Sequence, residues 1–556
     1  MEISEAGLRS IGWWYSDGTE PETGRYALDA ALPRLGLPIY IVNRNGSLAI
    51  SQEGGALLSA GAPPAPRPGK DGFPLSAIVP PLLPEALGAP GFRKRYGLRY
   101  AYVAGAMANG ITSVEMVEAA GKNGMIGFFG AAGLSPDRIE SAIERIQASL
   151  GDRPYGFNLI HSPYEPSLET ATVDLYLRRG VRCISASAYL RLTLPLVLFR
   201  AKGIHRSKDG RIVCPNRVIA KVSRVEVAQR FFSPPPEAML SELVRSGRIT
   251  AEEASLASRI PVASDLTAEA DSGGHTDNRP ALTLFPIMTA LRDQITARHE
   301  YDEPIWVGLG GGIATPEAAA AAFAMGAAYI LTGTVNQACV EAGTSERVRL
   351  MLAEAGQADV AMAPSADMFE MGVKVQVLKR GTMFPLRAQR LYDLYRQHHH
   401  WEEMPSEEKQ NLETQFFKCS FAEEWEQTRQ FFMHRDPRQV EKANTDPRHK
   451  MALVFRAYLG KSSKWANSGE ADRQMDYQIW CGPGIGAFNA WCRGTFLERP
   501  QNRKTVDVAL NLLFGAAVLT RISWARAQGV DIHPGPELLQ PRPRGRIHEL
   551  SEVSCR

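Results

Sequence analysis

Between Leu98 and Leu331 the chain alternates short apolar runs with longer stretches in which apolar residues recur every three or four positions. The short runs are Arg99–Ala104, Met125–Phe129, Tyr155–Ile160, Arg182–Ala186, Val218–Val222, Leu266–Ala270, Ile305–Val307 and Ala328–Leu331. Runs of that length read as buried strands, and the 3.6-residue beat between them reads as helices packed on a sheet. Helix signals fall where this alternation needs them. Thr112–Gly121 opens on Ser/Thr and closes on Gly, Ser135-Pro136-Asp137 starts the next helix, and Glu165–Arg179 supplies another. Eight strand candidates separated by helices predict an α/β fold of the (β/α)8 TIM-barrel type rather than a doubly wound sheet. Two interruptions stand out: Lys202–Pro215 reads as a hairpin and Met239–Arg259 as a helical pair.

The flanks carry other patterns. Pro38–Asn43 and Ser47–Ile50 are apolar runs joined by Arg44-Asn45-Gly46, a strong hairpin signal. Residues 61–90 are crowded with Pro, Gly and Ala and suit an extended connector over a surface. Residues 364–384 mix apolar alternation with glycine and yield no assignment. After Pro385 the strand pattern stops: Ala388, Leu391, Tyr392 and Tyr395 share one helical face, and Glu402–Phe432, Met451–Leu459 and Val506–Ala527 continue the helical beat. The tail from Pro534 is rich in Pro and Arg and is expected to be loose. The expected organisation is an N-terminal extension (1–90), a barrel (91–390) and a C-terminal helical region serving as a cap (391–556).

Length and composition narrow the class. At 556 residues the chain exceeds one ordinary domain, and 44% hydrophobic with 22% charged residues describes a globular protein with ample core. A net charge of +3 gives no ground for nucleic-acid or anionic-membrane binding. The seven cysteines form no CxxC pair, and reduced thiols in a cytoplasm are the simple expectation. The N-terminal stretch lacks the basic start and apolar core of a signal peptide. The most apolar late segment, Val508–Leu519, is too short to span a bilayer and is expected to be a buried helix.

Chemistry in such a barrel collects at the C-terminal ends of the strands. After the seventh run comes the glycine cluster Gly308, Gly310, Gly311, Gly312, then Thr315-Pro316-Glu317 as a helix start; the eighth run leads into Thr332-Gly333-Thr334. A single turn of this kind reads as a buried βα connection that needed glycine. The pair, at the two loops where barrels hold phosphate, predicts an anion site built from backbone N–H groups. The same rule selects GAMANG after the first strand, Asn158, Ser185-Ala186-Ser187, Lys221, and the EADSGGHTD loop after the sixth strand. There two glycines precede His275, whose imidazole can exchange a proton near neutral pH. Lys221 reads equally well as an inward lysine with a structural acid partner. Gly482-Pro483-Gly484-Ile485-Gly486 resembles half a dinucleotide fingerprint but lacks the third glycine and the strand–helix unit, so it is set aside. His398-His399-His400 point different ways round a helix and cannot converge on a metal; no metal site is expected.

Taken together, GAMANGIT, NLIHSP, ISASAY, VIAKVSRVEVA, EADSGGHTDNRP and GGGIATPEAAAAAFAMGAAYILTGTVNQA resemble the nitronate monooxygenase-like flavoproteins. The match is closest to their PfaD-type branch, the trans-acting enoyl reductases of polyunsaturated fatty acid and polyketide synthases. It continues through FEMGVKVQVLKRGTMFP, KMALVFRAYLG and DYQIWCGPGIGAFNAW and covers roughly residues 95–525. The resemblance implies FMN, with its phosphate on Gly311, Gly312, Gly333 and Thr334 and its ring among Met107, Asn158, Lys221 and Gly274. It makes His275 the active-site histidine, NADPH the reductant, and an enoyl thioester on acyl carrier protein, delivered by synthase modules, the substrate. Leu309 stands where a small residue is usual. A homodimer is among the expected states, and the sequence does not choose one. Two other readings stay open: an oxygen-using nitronate oxidase on the same barrel, and a non-catalytic scaffold that binds carrier domains.

Overall fold

A computed structural model describes residues 10–59, 72–163, 166–533 and 535–552. At its centre eight parallel strands close into a barrel: β1 (Tyr102–Ala104), β2 (Ile126–Phe129), β3 (Gly156–Ile160), β4 (Cys183–Ser187), β5 (Arg217–Val222), β6 (Asp265–Glu269), β7 (Trp306–Gly310) and β8 (Ile330–Thr332). Each overlaps one of the eight apolar runs. Strand β7 runs further than its apolar run suggested, so Gly308 and Gly310 belong to the strand and not to a loop. A Cβ on Gly308 would sit 2.3 Å from the Tyr329 ring, so that glycine is required by packing inside the wall. The hairpin between β4 and β5 (His205–Arg206 with Ile212–Val213) and the helical pair before β6 (Glu237–Arg245, Ala251–Ala257) form as expected.

Helices α1 (Val114–Lys122), α2 (Pro136–Leu150) and α3 (Pro316–Ala324) belong to the outer ring. Ser113 and Thr315 cap α1 and α3, each accepting from the N–H three residues on. After β8 come strands β9 (Val360–Pro364) and β10 (Lys374–Leu378), which pair with each other and, through β10, with the two-residue strand Gly274–His275. This small antiparallel sheet takes in Pro364 and residues 374–378 of the unassigned 364–384 stretch. Helices α4 (Phe421–Arg435) and α5 (Pro447–Ser468) follow, then α6 (Gly484–Cys492) and α7 (Thr505–Ala527).

Helix α7 does not stay with the other late helices. It packs on α3 and α1 of the barrel, with Gly515 seated so closely on Pro316 that a Cβ there would come within 2.6 Å. Its 23 residues make it long and apolar enough to cross a membrane, which corrects the shorter segment read from the sequence. Yet 78% of its most apolar window is buried inside the protein. The guanidinium of Arg521, 0% exposed, donates to the carbonyls of Leu32, Arg34 and Leu37, tying the N-terminal region to this helix.

That N-terminal region is a six-stranded antiparallel sheet, and Gly72–Val79 lies inside it between Ile39–Arg44 and Gly12–Tyr15. The expected connector over 61–90 is therefore corrected: residues 72–79 are sheet, while 60–71 lie outside the described residues. Pro74 is accommodated in that strand although proline cannot donate to the ladder. The tail is corrected too. Arg544–Ser551 is a helix with Ile547 and Leu550 buried, and the Leu550 carbonyl accepts from Leu35 N–H at 2.8 Å.

Candidate active site

A cavity of about 550 Å³ opens over the C-terminal ends of the barrel strands. Met107, Asn158, Lys221, Gly274, His275, Gly311, Gly312, Gly333 and Thr334 all line it. The floor is a glycine cradle. Gly311 and Gly312 lie in the left-handed region, at φ of +89° and +74°. A Cβ on Gly311 would strike the Ala270 backbone at 2.6 Å, whereas one on Gly312 or Gly333 would meet no protein atom within 4 Å and would project into the cavity. Two positions that leave such space beside exposed backbone amides fit a phosphate group. Leu309, 1% exposed, is in the wall and does not line this space.

The set-aside glycine segment completes the cradle. Gly482 N–H donates to Thr334 Oγ1 at 3.2 Å, and a Cβ on Gly484, the first residue of α6, would lie 3.6 Å from Gly312 Cα. Gly482 and Cys481 also press on the His275 loop, where a Cβ on Gly273 would come within 2.8 Å of Cys481 N. The motif is not a strand–helix dinucleotide turn, as its spacing indicated. Its glycines serve close approach to the cradle instead.

Above the cradle the β6 loop is held rigidly. The Asp271 carboxylate accepts from Asn278 and Gln376 at 2.8 Å each, and Gln376 also donates to the Ser272 carbonyl. At the tip, His275 Nε2 lies 3.1 Å from Asp367 Oδ1. Burial pushes the imidazole pKa down, but the Asp367 charge and hydrogen bond outweigh it and hold it above the usual value. The same pairing overcomes burial at Asp367 and draws its carboxyl down to about 2. Asp367 was not identified from the sequence. It stands 92 residues from His275, on the loop between β9 and β10, and no spacing rule connects them. Helix α5 helps to hold it, since Arg456 Nε donates to the Ala366 carbonyl at 2.9 Å.

The barrel wall supplies the remaining polar groups. Lys221 lines the cavity, and its Nζ bonds Glu269 Oε1 at 2.5 Å, the acid partner that the inward reading of this lysine expected. Asn158 Nδ2 donates to Ser187 Oγ at 2.8 Å and to the Ser185 carbonyl at 3.1 Å, which fixes its amide plane. Thr112 Oγ1 accepts from Met107 N–H and donates to the Gly105 carbonyl, setting the loop that carries Met107. Asn109 Nδ2 reaches Ser463 Oγ on α5 at 2.8 Å, so that loop is joined to the helices that wall the cavity mouth.

Comparison with known proteins supplies relatives for this arrangement. The nitronate monooxygenase family matches residues 96–390, and the inserted helical domain of acyl-carrier-protein S-malonyltransferase matches residues 398–477. A polyunsaturated fatty acid synthase polypeptide of Thraustochytrium sp. is 47% identical over 458 residues, 81% of this chain and 31% of that protein. Polyketide biosynthesis protein PksE of Bacillus subtilis is 47% identical over 436 residues, 78% of this chain and 56% of that protein. The chain thus spans between about a third and just over half of these relatives. The crystal structure of the enoyl reductase domain of MlnA, from the macrolactin biosynthesis cluster of Bacillus amyloliquefaciens, superposes with a TM-score of 0.75 at 41% identity. That match covers 79% of this chain and 99% of the domain.

Proposed function

Because the chain belongs to the nitronate monooxygenase family, we propose that it is an FMN-dependent enoyl reductase acting in polyketide or polyunsaturated fatty acid synthesis. It takes electrons from NADPH and reduces the α,β-double bond of an enoyl thioester carried by acyl carrier protein. The observation that carries the reading is one cavity with a glycine cradle on its floor and a histidine–aspartate pair at its rim. The MlnA enoyl reductase domain, similar over nearly its whole length, supports it.

Bound FMN would supply the hydride that the β-carbon of the substrate gains. Gly311, Gly312, Gly333 and Thr334 would hold its phosphate, with Gly482 and Gly484 closing the cradle. Met107, Asn158, Lys221 and Gly274 would bound its ring. The residues of the chain must then deal with the charge that grows on the thioester oxygen and with the proton the α-carbon needs. His275 is suited to the proton. Its Nε2 is committed to Asp367, which leaves Nδ1 as the nitrogen that releases a proton, and Asp367 favours the charged imidazole. Lys221, held by Glu269, contributes fixed positive charge to the same wall. The small sheet of β9, β10 and Gly274–His275, with Trp480 and helices α4 and α5, walls the cavity and limits water.

The test is the colour of the purified protein. Flavin absorbance bleached anaerobically by NADPH and restored by an enoyl thioester on carrier protein is the expected result. Restoration only by a nitronate with oxygen would make it an oxidase. A protein without flavin, or one silent to NADPH, would make it a carrier-binding scaffold.

A further inference from the structure

The segment that closes the phosphate cradle also brings an aromatic ring to the cavity. Its backbone runs antiparallel beside β10. Leu378 N–H donates to the Ile479 carbonyl at 2.8 Å, Cys481 N–H donates to the Gln376 carbonyl at 3.2 Å, and Trp480 bridges Val377 between them. On the same strand Gln376 and Val375 pair with Gly274 and His275. Trp480 is thereby placed next to the His275 loop, and a Cβ on Gly274 would lie 3.9 Å from its Cγ. The indole is half-buried, lines the cavity, and packs on an apolar core that includes Val375, Val377 and Phe455. Its N–H is held as well. With the Gln478 amide turned so that both its ends are satisfied, it accepts from Trp480 Nε1 at 3.2 Å and donates to the Leu459 carbonyl on α5 at 2.9 Å. A ring fixed by backbone pairing, core packing and its own N–H offers a flat apolar surface at small entropic cost.

Two to four residues further on, Gly482 and Gly484 stand at the cradle. A chain of that length reaches at most about 7–14 Å, the scale of the five-carbon arm between a flavin ring and its phosphate. The span from Trp480 to the cradle therefore matches the span of such a cofactor. Gly274, at φ of +78°, presents no side chain to the same space. Glycine backbone beside a fixed indole makes a wall suited to a planar ligand.

We propose that Trp480 is a flavin-ring contact: its indole, beside Gly274, packs on the ring of an FMN whose phosphate lies in the cradle. The proposal rests on the FMN-dependent reading above, and ligand binding tests it without turnover. The full-length chain, freed of flavin, is titrated with FMN and with riboflavin, which has the same ring and no phosphate. Trp480→Leu should weaken both by about tenfold, the worth of one aromatic stack. Trp480→Phe keeps a ring against the core, which secures a folded variant, and should weaken both by less. It should also brighten the bound flavin. Indole in contact quenches an excited flavin by lending an electron that then returns, and a phenyl ring does not. A loss confined to FMN would mean that Trp480 only shapes the neighbouring cradle, and unchanged affinity and emission in both variants would mean no contact; either overturns the proposal. The reductase reading fails separately, when an enoyl thioester does not reoxidise flavin bound in this way. A wild-type chain that binds neither flavin overturns both.

Discussion

The two ends of the barrel hold the same kinds of group to opposite effect. At the N-terminal end of β6, Asp265 is 0% exposed and accepts from Arg95 at 2.7 Å, Tyr96 OH at 2.7 Å and Trp306 N–H at 2.8 Å. Burial raises its pKa even so, with the Arg95 charge and these bonds pulling the other way. At the C-terminal end of the same strand, Glu269 pairs with Lys221, and in the loop beyond it His275 pairs with Asp367. The side chains of His275 and Asp367 stay 31% and 35% exposed. The lower carboxylate is fully occupied by the protein and has nothing left for a ligand. The upper pair keeps polar capacity open to the cavity it lines. Charge pairing alone does not identify a site; pairing that leaves a proton or an acceptor to spare does.

Changes at each end should therefore register in different measurements. The largest effect belongs to the cradle: Gly312→Asp or Gly333→Asp places a carboxylate where the phosphate would rest, and a folded protein without flavin is expected. Wild-type flavin absorbance in either variant would contradict the cradle. Next is the lower end. Asp265→Ala leaves Arg95 buried without its main partner and should cost about 3 kcal/mol in denaturant unfolding. Its flavin content and substrate reduction at permissive temperature should match wild type, and a specific loss of activity would erase the distinction between the ends. The smallest effect is a pH shift. Because Asp367 holds the His275 pKa above its usual value, the acid form persists to higher pH than in a free imidazole, and substrate-driven flavin reoxidation should fall as pH rises through that raised pKa. Asp367→Asn leaves burial as the first influence on His275, so the falling limb should move to lower pH, with a loss of about tenfold at neutral pH. An unmoved limb would mean that another group titrates.

Much of the barrel was legible because its strands are buried on both faces and stand out as unbroken apolar runs between capped helices. Cradle positions were legible for a related reason: only glycine tolerates the backbone at 311. Gly308 showed the limit of that argument, since its glycine answers to the Tyr329 ring and not to a ligand. Asp367 and the Gly482–Gly484 segment are distant in sequence and reach the cavity only through the small sheet and helix α6, so local pattern could not bring them there. The strand 72–79 was hidden by the Pro- and Gly-rich sequence before and after it. Domain limits at 90 and 390 rest on pattern alone. Helix α7 seated on α3 leads us to propose that residues 505–527 count with the barrel and that the late helices before them form an insertion in it.

The central claim is that the upper end donates a proton through His275, and stopped-flow absorbance of His275→Ala in the two half-reactions tests it most directly. Flavin reduction by NADPH needs no acid from the protein and should change little. Reoxidation by an enoyl thioester should slow by about 10²–10⁴, the usual contribution of one positioned acid. Equal slowing of both halves would mean that His275 positions the cofactor, and unchanged rates in both would mean that the proton comes from elsewhere; either result contradicts the account.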